Sequence, residues 1–210
     1  MRKTVPLLTK YCFKLRRWIN RRVNRRIAEY ENGITIISQN CIGGVIYNYY
    51  GMKFCSPLIN MYIEADDFVK LVNNQSYYLN LDPILIDDTH YPLCALGDIT
   101  LHCLHYKSFS EILDKWKARK ARINWDKILI IMTDRDGFCE RHYEEFDKFP
   151  GNKLLLTSKE RDNIRGVYTM RGFRNMPSIG TLSDFSNILG KKYFMEIDFT
   201  RILHSIIDES

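Results

Sequence analysis

The chain reads as an α/β protein: a layered fold with a largely parallel or mixed central sheet, flanked by helices. Three observations carry that reading. Short apolar runs of strand length recur at 34–38, 99–106, 128–132, 153–157 and 167–170. Segments with helical spacing of apolar residues separate them. Alternation of the two along a chain argues for a parallel sheet with crossover helices. At 210 residues, 45% hydrophobic and 27% charged, the chain is long enough and apolar enough for one sizeable core.

Taken in order, residues 7–30 read as one basic amphipathic helix. Tyr11, Leu15, Trp18, Ile19, Val23 and Ile27 recur at intervals of three and four, and arginines fill most of the rest. Residues 1–28 hold ten Lys/Arg and no Asp/Glu, leaving 21 basic against 25 acidic residues elsewhere. The net charge of +6 therefore belongs to this arm. We divide the chain into a helical arm at 1–30 and a single α/β domain at 31–210. A basic helix with a Trp-bearing stripe suits an anionic membrane surface, here through residues 7–28; the alternative is that the stripe packs on its own domain. Nucleic acid is disfavoured, since no basic patch with interleaved aromatics continues elsewhere.

Glu31-Asn32-Gly33 is a turn, and 34–38 a strand. The run Gln39-Asn40-Cys41-Ile42-Gly43-Gly44 then leads into a helix that Gly51 closes. A strand, a small polar loop and paired glycines before a helix can aim backbone N–H groups at an anion. Residues 56–63 read as a loop entering a strand, 64–74 as a helix, and 77–81 and 84–87 as loop or edge strand around Pro83. Ser108 and Glu111 have capping-box spacing for a helix to about Arg122. A strand at 128–132, helices at 140–149 and 158–164, and a last helix or two complete the chain.

Six cysteines, at 12, 41, 55, 94, 103 and 139, form no Cys-x-x-Cys pair, so a zinc ribbon is not expected. Free thiols in a reducing cytoplasm are the simplest reading. The apolar stretch at 5–8 is too short for a signal-peptide core, and no segment approaches a membrane span. The expected location is cytoplasmic, or peripheral at the inner face of the membrane.

The chemistry-bearing residues cluster in a few motifs. Asp134-Arg135-Asp136-Gly137 follows the 128–132 strand, at the strand end where open α/β sheets bind ligands. Asp134 and Asp136 could hold Mg²⁺ or Mn²⁺ and through it a diphosphate, with Asp136 also a catalytic candidate; the plainer reading is a helix-capping turn. Cys41 sits where helix N–H groups would lower a thiol's pKa, which suits a nucleophile, although a free Cys is commonly a small buried hydrophobe. Strand alternation sets His102 on one face and Cys103 and His105 on the other, so one metal site using all three is strained. His102 is either a general base or a packing residue. Asp98 is a turn residue or a polar site group. Lys115, Lys117, Arg119 and Arg122 crowd a helix end, where they could grip phosphates or form a solvated face.

Together these stretches resemble a bacterial family of unknown function encoded in exopolysaccharide, capsule and lipopolysaccharide gene clusters. The resemblance runs through 36–44, Ser56-Pro57-Leu58-Ile59-Asn60, Tyr91-Pro92, Leu96-Gly97-Asp98-Ile99, His102, His105-Tyr106, Ser108-Phe109, Lys115-Trp116, Arg122-Ile123-Asn124 and Asp134-Arg135-Asp136-Gly137. It covers roughly 33–203 and leaves the basic arm outside. Gln39 replaces the Asn usual in the family's Ser-Asn-Asn-Cys motif. The resemblance implies a layered α/β fold with a mixed sheet and a part in exopolysaccharide biosynthesis, without a mechanism. On it we expect an enzyme of surface-polysaccharide assembly, a sugar-directed transferase carrying out metal-assisted glycosyl or sugar-phosphate transfer on a nucleotide-sugar or lipid-linked saccharide. Cys41, His102 and Asp136 are its catalytic candidates, with Asn40, Gly43, Gly44, Asn60, Asp98, Arg119 and Arg122 as substrate contacts. The alternatives are acyl transfer or deacylation through Cys41, and a non-catalytic saccharide- or partner-binding protein.

Overall fold

A computed structural model describes residues 5–209. The basic segment forms two helices, α1 (Leu7–Val23) and α2 (Arg25–Ala28), parted at Asn24. Strand β1 (Thr35–Ser38) leads into α3 (Ile42–Tyr50), which ends at Gly51 with φ of 75°. That left-handed conformation is the usual helix stop and favours glycine. Next come α4 (Ala65–Asn73) and α5 (Gln75–Asn80), then β2 (Ile84–Asp87), β3 (Leu93–Leu96) and β4 (Ile99–His102). Helix α6 (Phe109–Lys120) starts as its sequence dictates: the Ser108 hydroxyl accepts the Glu111 N–H at 3.3 Å. The remainder is β5 (Ile128–Thr133), α7 (Arg141–Asp147), β6 (Asn152–Thr157), β7 (Val167–Thr169) and α8 (Phe199–Asp208).

The strands form two sheets. One is parallel, in the order β1-β5-β6-β7; the other is antiparallel, β2-β3-β4, and enters the chain between β1 and β5. Alternation along the parallel strands divides the core. Ile37, Ile130, Met132 and Leu155 face Phe68 of α4, Trp116 of α6, Phe146 of α7 and Leu96 and Leu101 of the second sheet. Ile36, Leu129, Ile131, Leu154 and Leu156 face Ile46 and Tyr50 of α3, Ile27 of α2 and Leu203 and Ile206 of α8. The fold is thus α/β with both faces of the parallel sheet covered, as the alternating pattern predicts. At the outer edge of β1, the Tyr47 hydroxyl accepts the Ile36 N–H at 2.9 Å and donates to the Ile34 carbonyl at 2.7 Å. A side chain thereby stands in for a missing neighbouring strand.

Four local expectations need correction. Residues 158–164 form bends and turns rather than a helix, because Ser158 is tied to Asp134 through both its N–H and its hydroxyl. Residues 56–63 contain only an isolated bridge, Tyr62 to His102. The 77–81 segment lies largely in α5. β4 stops at His102, so Cys103 and His105 stand on the following turn.

Candidate functional site

The carboxyl ends of β1 and β5 open into a cleft of about 700 Å³. Its walls come from the turn after β1 (Asn40, Cys41), the turn after β5 (Thr133, Arg135, Asp136), Tyr62 and His105, and the 179–184 loop. Ligands of open parallel sheets gather at this end, and the volume suits a small molecule.

The floor is built from buried polar groups that satisfy one another. Gln39 is fully buried; its amide oxygen accepts the Thr133 N–H at 2.9 Å and its amide nitrogen donates to the Arg135 carbonyl at 3.1 Å. These bonds continue the β1–β5 pairing past the last strand residue, so Gln39 joins the two turns. Asn40 donates to the Thr133 hydroxyl at 2.9 Å and reaches the Asp136 carboxylate at 3.5 Å.

The two aspartates of the Asp-x-Asp motif part company. Asp134 is buried, and four donors meet its carboxylate: the Thr157 hydroxyl at 3.0 Å, the Ser158 N–H at 2.7 Å, the Ser158 hydroxyl at 2.9 Å and the Ile179 N–H at 2.8 Å. It fastens the ends of β5 and β6 to the loop that walls the cleft. Asp136 lines the cleft, held at φ of 53°, a left-handed conformation that Asp tolerates better than most residues. Its carbonyl accepts the Ala65 N–H at 2.7 Å, and Gly137 follows at φ of 82°. A Cβ on Gly137 would lie 2.6 Å from the end of the flexible Glu64 side chain, which can move, so it is the positive φ rather than space that favours glycine here. A two-carboxylate clamp for Mg²⁺ or Mn²⁺ does not fit this arrangement. Asp134 has committed both oxygens to donors, and only Asp136 is presented. Among the described residues, no three His, Cys, Asp or Glu side chains gather as a ligand set.

Cys41 lines the cleft, its thiol directed at the Met61 carbonyl at 3.7 Å. Burial, and then the Asp136 carboxylate, push the thiol's pKa up, so it stays protonated. The expected lowering by helix N–H groups does not prevail. Two of those groups are already occupied: the Gly43 N–H donates to the Ser38 hydroxyl at 3.2 Å, and the Ile42 N–H to the Asn40 side chain at 3.4 Å. Both glycines also permit close contacts. A Cβ on Gly43 would sit 2.5 Å from the Ser38 hydroxyl, and one on Gly44 3.2 Å from Ile59.

His102 stands behind the cleft wall. Its ring stacks on Tyr62 at 4.1 Å and 14°, and the Tyr91 hydroxyl lies 3.2 Å from its Nδ1. Burial lowers its pKa, against the opposing pull of Glu64 and Asp136, which favours the neutral ring. His105, not His102, reaches the cleft. No hydrogen bond joins His102 to Cys41, so the two do not form a nucleophile–base pair among the described contacts.

The other expected substrate contacts lie outside the cleft lining. Asp98 sits on the β3–β4 turn, bound by the Tyr78 hydroxyl at 2.7 Å and paired with Lys70, which lower its carboxyl pKa. Asn60 is an exposed residue at φ of 65°. Arg119 is buried, donating to the Tyr106 hydroxyl at 2.6 Å and lying over the Phe54 ring; Arg122 donates to the Phe54 carbonyl at 2.9 Å. Both arginines hold the 54–59 segment in place.

Tyr62, Thr133, Arg135 and the 179–184 loop were not assigned roles from sequence. Arg135 lay in view inside the Asp-Arg-Asp motif; Tyr62 and the loop carry no local signal. A second unexpected constellation is Cys139, His142 and Asp66. The fully buried His142 accepts the Cys139 N–H at Nδ1 (2.9 Å), with the thiol 3.3 Å away, and donates from Nε2 to Asp66 at 2.6 Å. The backbone N–H already uses the Nδ1 lone pair, so this imidazole ties down the turn before α7 rather than serving as a base for the thiol.

Fold and cleft together define an α/β protein with a cleft at the carboxyl edge of a parallel sheet. Over residues 12–204 the chain matches the family model described as Domain of unknown function (DUF1919), and it belongs to that family. It is similar to a Haemophilus influenzae protein called "Uncharacterized protein", 34% identical over 187 residues, 88% of this chain and 89% of that one. The family match begins at residue 12, so most of α1 lies inside it, where the sequence resemblance had left the basic arm out.

Proposed function

We propose that the cleft binds a sugar-bearing substrate and that the protein serves surface-polysaccharide assembly as a sugar-directed transferase, with a nucleotide-sugar or lipid-linked saccharide as donor. The observation that carries this reading is the composition of the cleft. One carboxylate, Asp136, is held in place by a left-handed backbone beside the amide of Asn40 and the guanidinium of Arg135, and a half-buried aromatic ring, Tyr62, forms part of the wall. Amides and carboxylates bind hydroxyls, an aromatic face receives the C–H face of a sugar ring, and arginine suits a phosphate leaving group. The sequence resemblance to a family from polysaccharide gene clusters supports the same direction.

In this reading Asp136 accepts the proton of the acceptor hydroxyl as its oxygen bonds to the transferred group, while the donor's phosphate oxygen departs beside Arg135. Asn40 orients Asp136, and Tyr62, steadied by the His102 stack, orients the sugar. Acyl transfer through Cys41 ranks below it, because a thiol kept protonated by burial and a neighbouring carboxylate is a poor nucleophile.

The test is saturation-transfer NMR and turnover against a panel of nucleotide-sugars, with the unaltered chain, Asp136→Asn and Cys41→Ser. The expected result is binding by all three and loss of turnover on the order of 100-fold or more in Asp136→Asn alone. Binding without turnover by the unaltered chain would replace the transferase with a saccharide-binding protein. Loss of turnover in Cys41→Ser with Asp136→Asn active would transfer the chemistry to the thiol.

A further inference from the structure

Helix α1 is docked with its polar side inward. Its buried side carries Thr9, 2% exposed, with half-buried Phe13, Arg17 and Asn20. It rests on α3, where Arg17 donates to the Asn48 side chain and Arg21 to the Asn48 carbonyl, and on the turn at Gly190, whose absent Cβ would lie 2.4 Å from the Phe13 nitrogen. The opposite side carries the apolar stripe. Leu8, Tyr11, Leu15, Trp18 and Val23 are between 51% and 75% exposed, and Leu7 is 84% exposed. Ile188 and Leu189, also exposed, lie next to the helix, where Arg16 donates to the Leu189 carbonyl.

This orientation is energetically costly in water. The Thr9 hydroxyl and the Asn20 amide nitrogen are buried without a partner, while the large apolar side chains that could have replaced them stay wet. The stripe therefore calls for a cover. Charge decides which kind. Residues 7–28 carry eight Lys/Arg and no acid. A second copy of the chain would set two such helices against each other, stripe to stripe, at a cost in like-charge repulsion. Lys10, Lys14 and Arg22 have no ion-pair partner among the described residues, and Arg22 lies over the exposed Trp18 ring at 4.7 Å. An exposed Trp and Tyr on an apolar stripe, bordered by uncommitted cations, match the interface of an anionic bilayer. No described helix is long and apolar enough to cross a membrane, so this contact lies in the plane of the surface.

We propose that α1 docks on an anionic lipid surface, inserting Leu8, Tyr11, Leu15 and Trp18 with Lys10, Lys14 and Arg22 against the headgroups. The inference is independent of the sugar reading, and its failure leaves the cleft untouched.

The experiment is sedimentation of the full chain with vesicles of phosphatidylcholine alone, or of phosphatidylcholine and phosphatidylglycerol in equal parts, with tryptophan emission read in parallel. The expected result is binding to the anionic vesicles with a blue shift that Trp18→Phe removes, and weak binding to the neutral ones. Leu15→Asp with Trp18→Asp weakens binding by at least about tenfold, and Lys14→Glu with Arg22→Glu on the order of tenfold. Both pairs are exposed, so thermal melting should stay unchanged. Three results overturn the proposal: equal partition to both vesicles, vesicle binding indifferent to the Leu15/Trp18 pair, or a dimer in sedimentation that this pair abolishes.

Discussion

The carboxyl edge of the parallel sheet and helix α1 both defy the rule of apolar inside and polar outside, and they do so differently. At the sheet edge Asp134, Gln39, Thr133, Thr157 and Ser158 are buried, and each finds partners within hydrogen-bonding distance. Under α1 the Thr9 hydroxyl and the Asn20 amide nitrogen are buried and find none, while Leu15 and Trp18 face water. Satisfied burial marks architecture: it fixes where the cleft residues stand. Unsatisfied burial beside an exposed stripe is the pair of observations on which the proposed lipid docking of α1 rests.

The strongest way to break the comparison is Asp134→Ala. It strands two backbone N–H groups and two hydroxyls, and we expect a loss of about 3 kcal/mol or more in urea unfolding. Asp136→Asn, two residues away, should change stability by less than about 0.5 kcal/mol, because Asn accepts the same left-handed backbone. Equal losses would mean that both carboxylates are structural.

Gly43→Ala comes next. Its new methyl group meets the Ser38 hydroxyl, which already serves Asn40 and Gly43, so about 1–3 kcal/mol should be lost. Thr9→Val sharpens the other side. Removing a buried hydroxyl without a partner should be neutral or stabilise by up to about 1 kcal/mol, measured by the same unfolding curve. Thr157→Val, which removes a hydroxyl bonded to Asp134, should move the curve the opposite way.

A smaller effect concerns pH. Burial depresses the pKa of His102 in the folded state, so the unfolded chain binds its proton more readily. The stability this group contributes is complete above the ordinary histidine range and declines as pH falls through that range toward the lower folded value. His102→Gln should flatten the acid side of a melting-temperature profile. An unchanged slope would place the acid sensitivity elsewhere.

Much of the frame can be read locally. The runs that form β1, β5, β6 and β7, the Ser108 cap of α6 and the Gly51 stop depend on neighbours a few residues away. The cleft was legible in part. Asn40, Cys41 and Asp136 stand together because their turns follow adjacent parallel strands. His102, Asp98, Asn60, Arg119 and Arg122 lie outside it, since short motifs give residue type but not the direction in which a turn leaves the sheet. The helix expected at 158–164 failed for a related reason: its first residue is taken by Asp134, distant in sequence.

By itself, then, the sequence determined the α/β alternation, the two strand-end turns and the presence of a basic helix with an apolar stripe. Those follow from periodicity and turn chemistry, which are local. Only the tertiary structure decided that Asp134 holds the fold while Asp136 faces the cleft, that burial keeps Cys41 protonated, and that α1 turns its stripe outward. Each depends on donors, charges and surfaces brought from far along the chain, and a periodic pattern specifies a face without naming what will meet it.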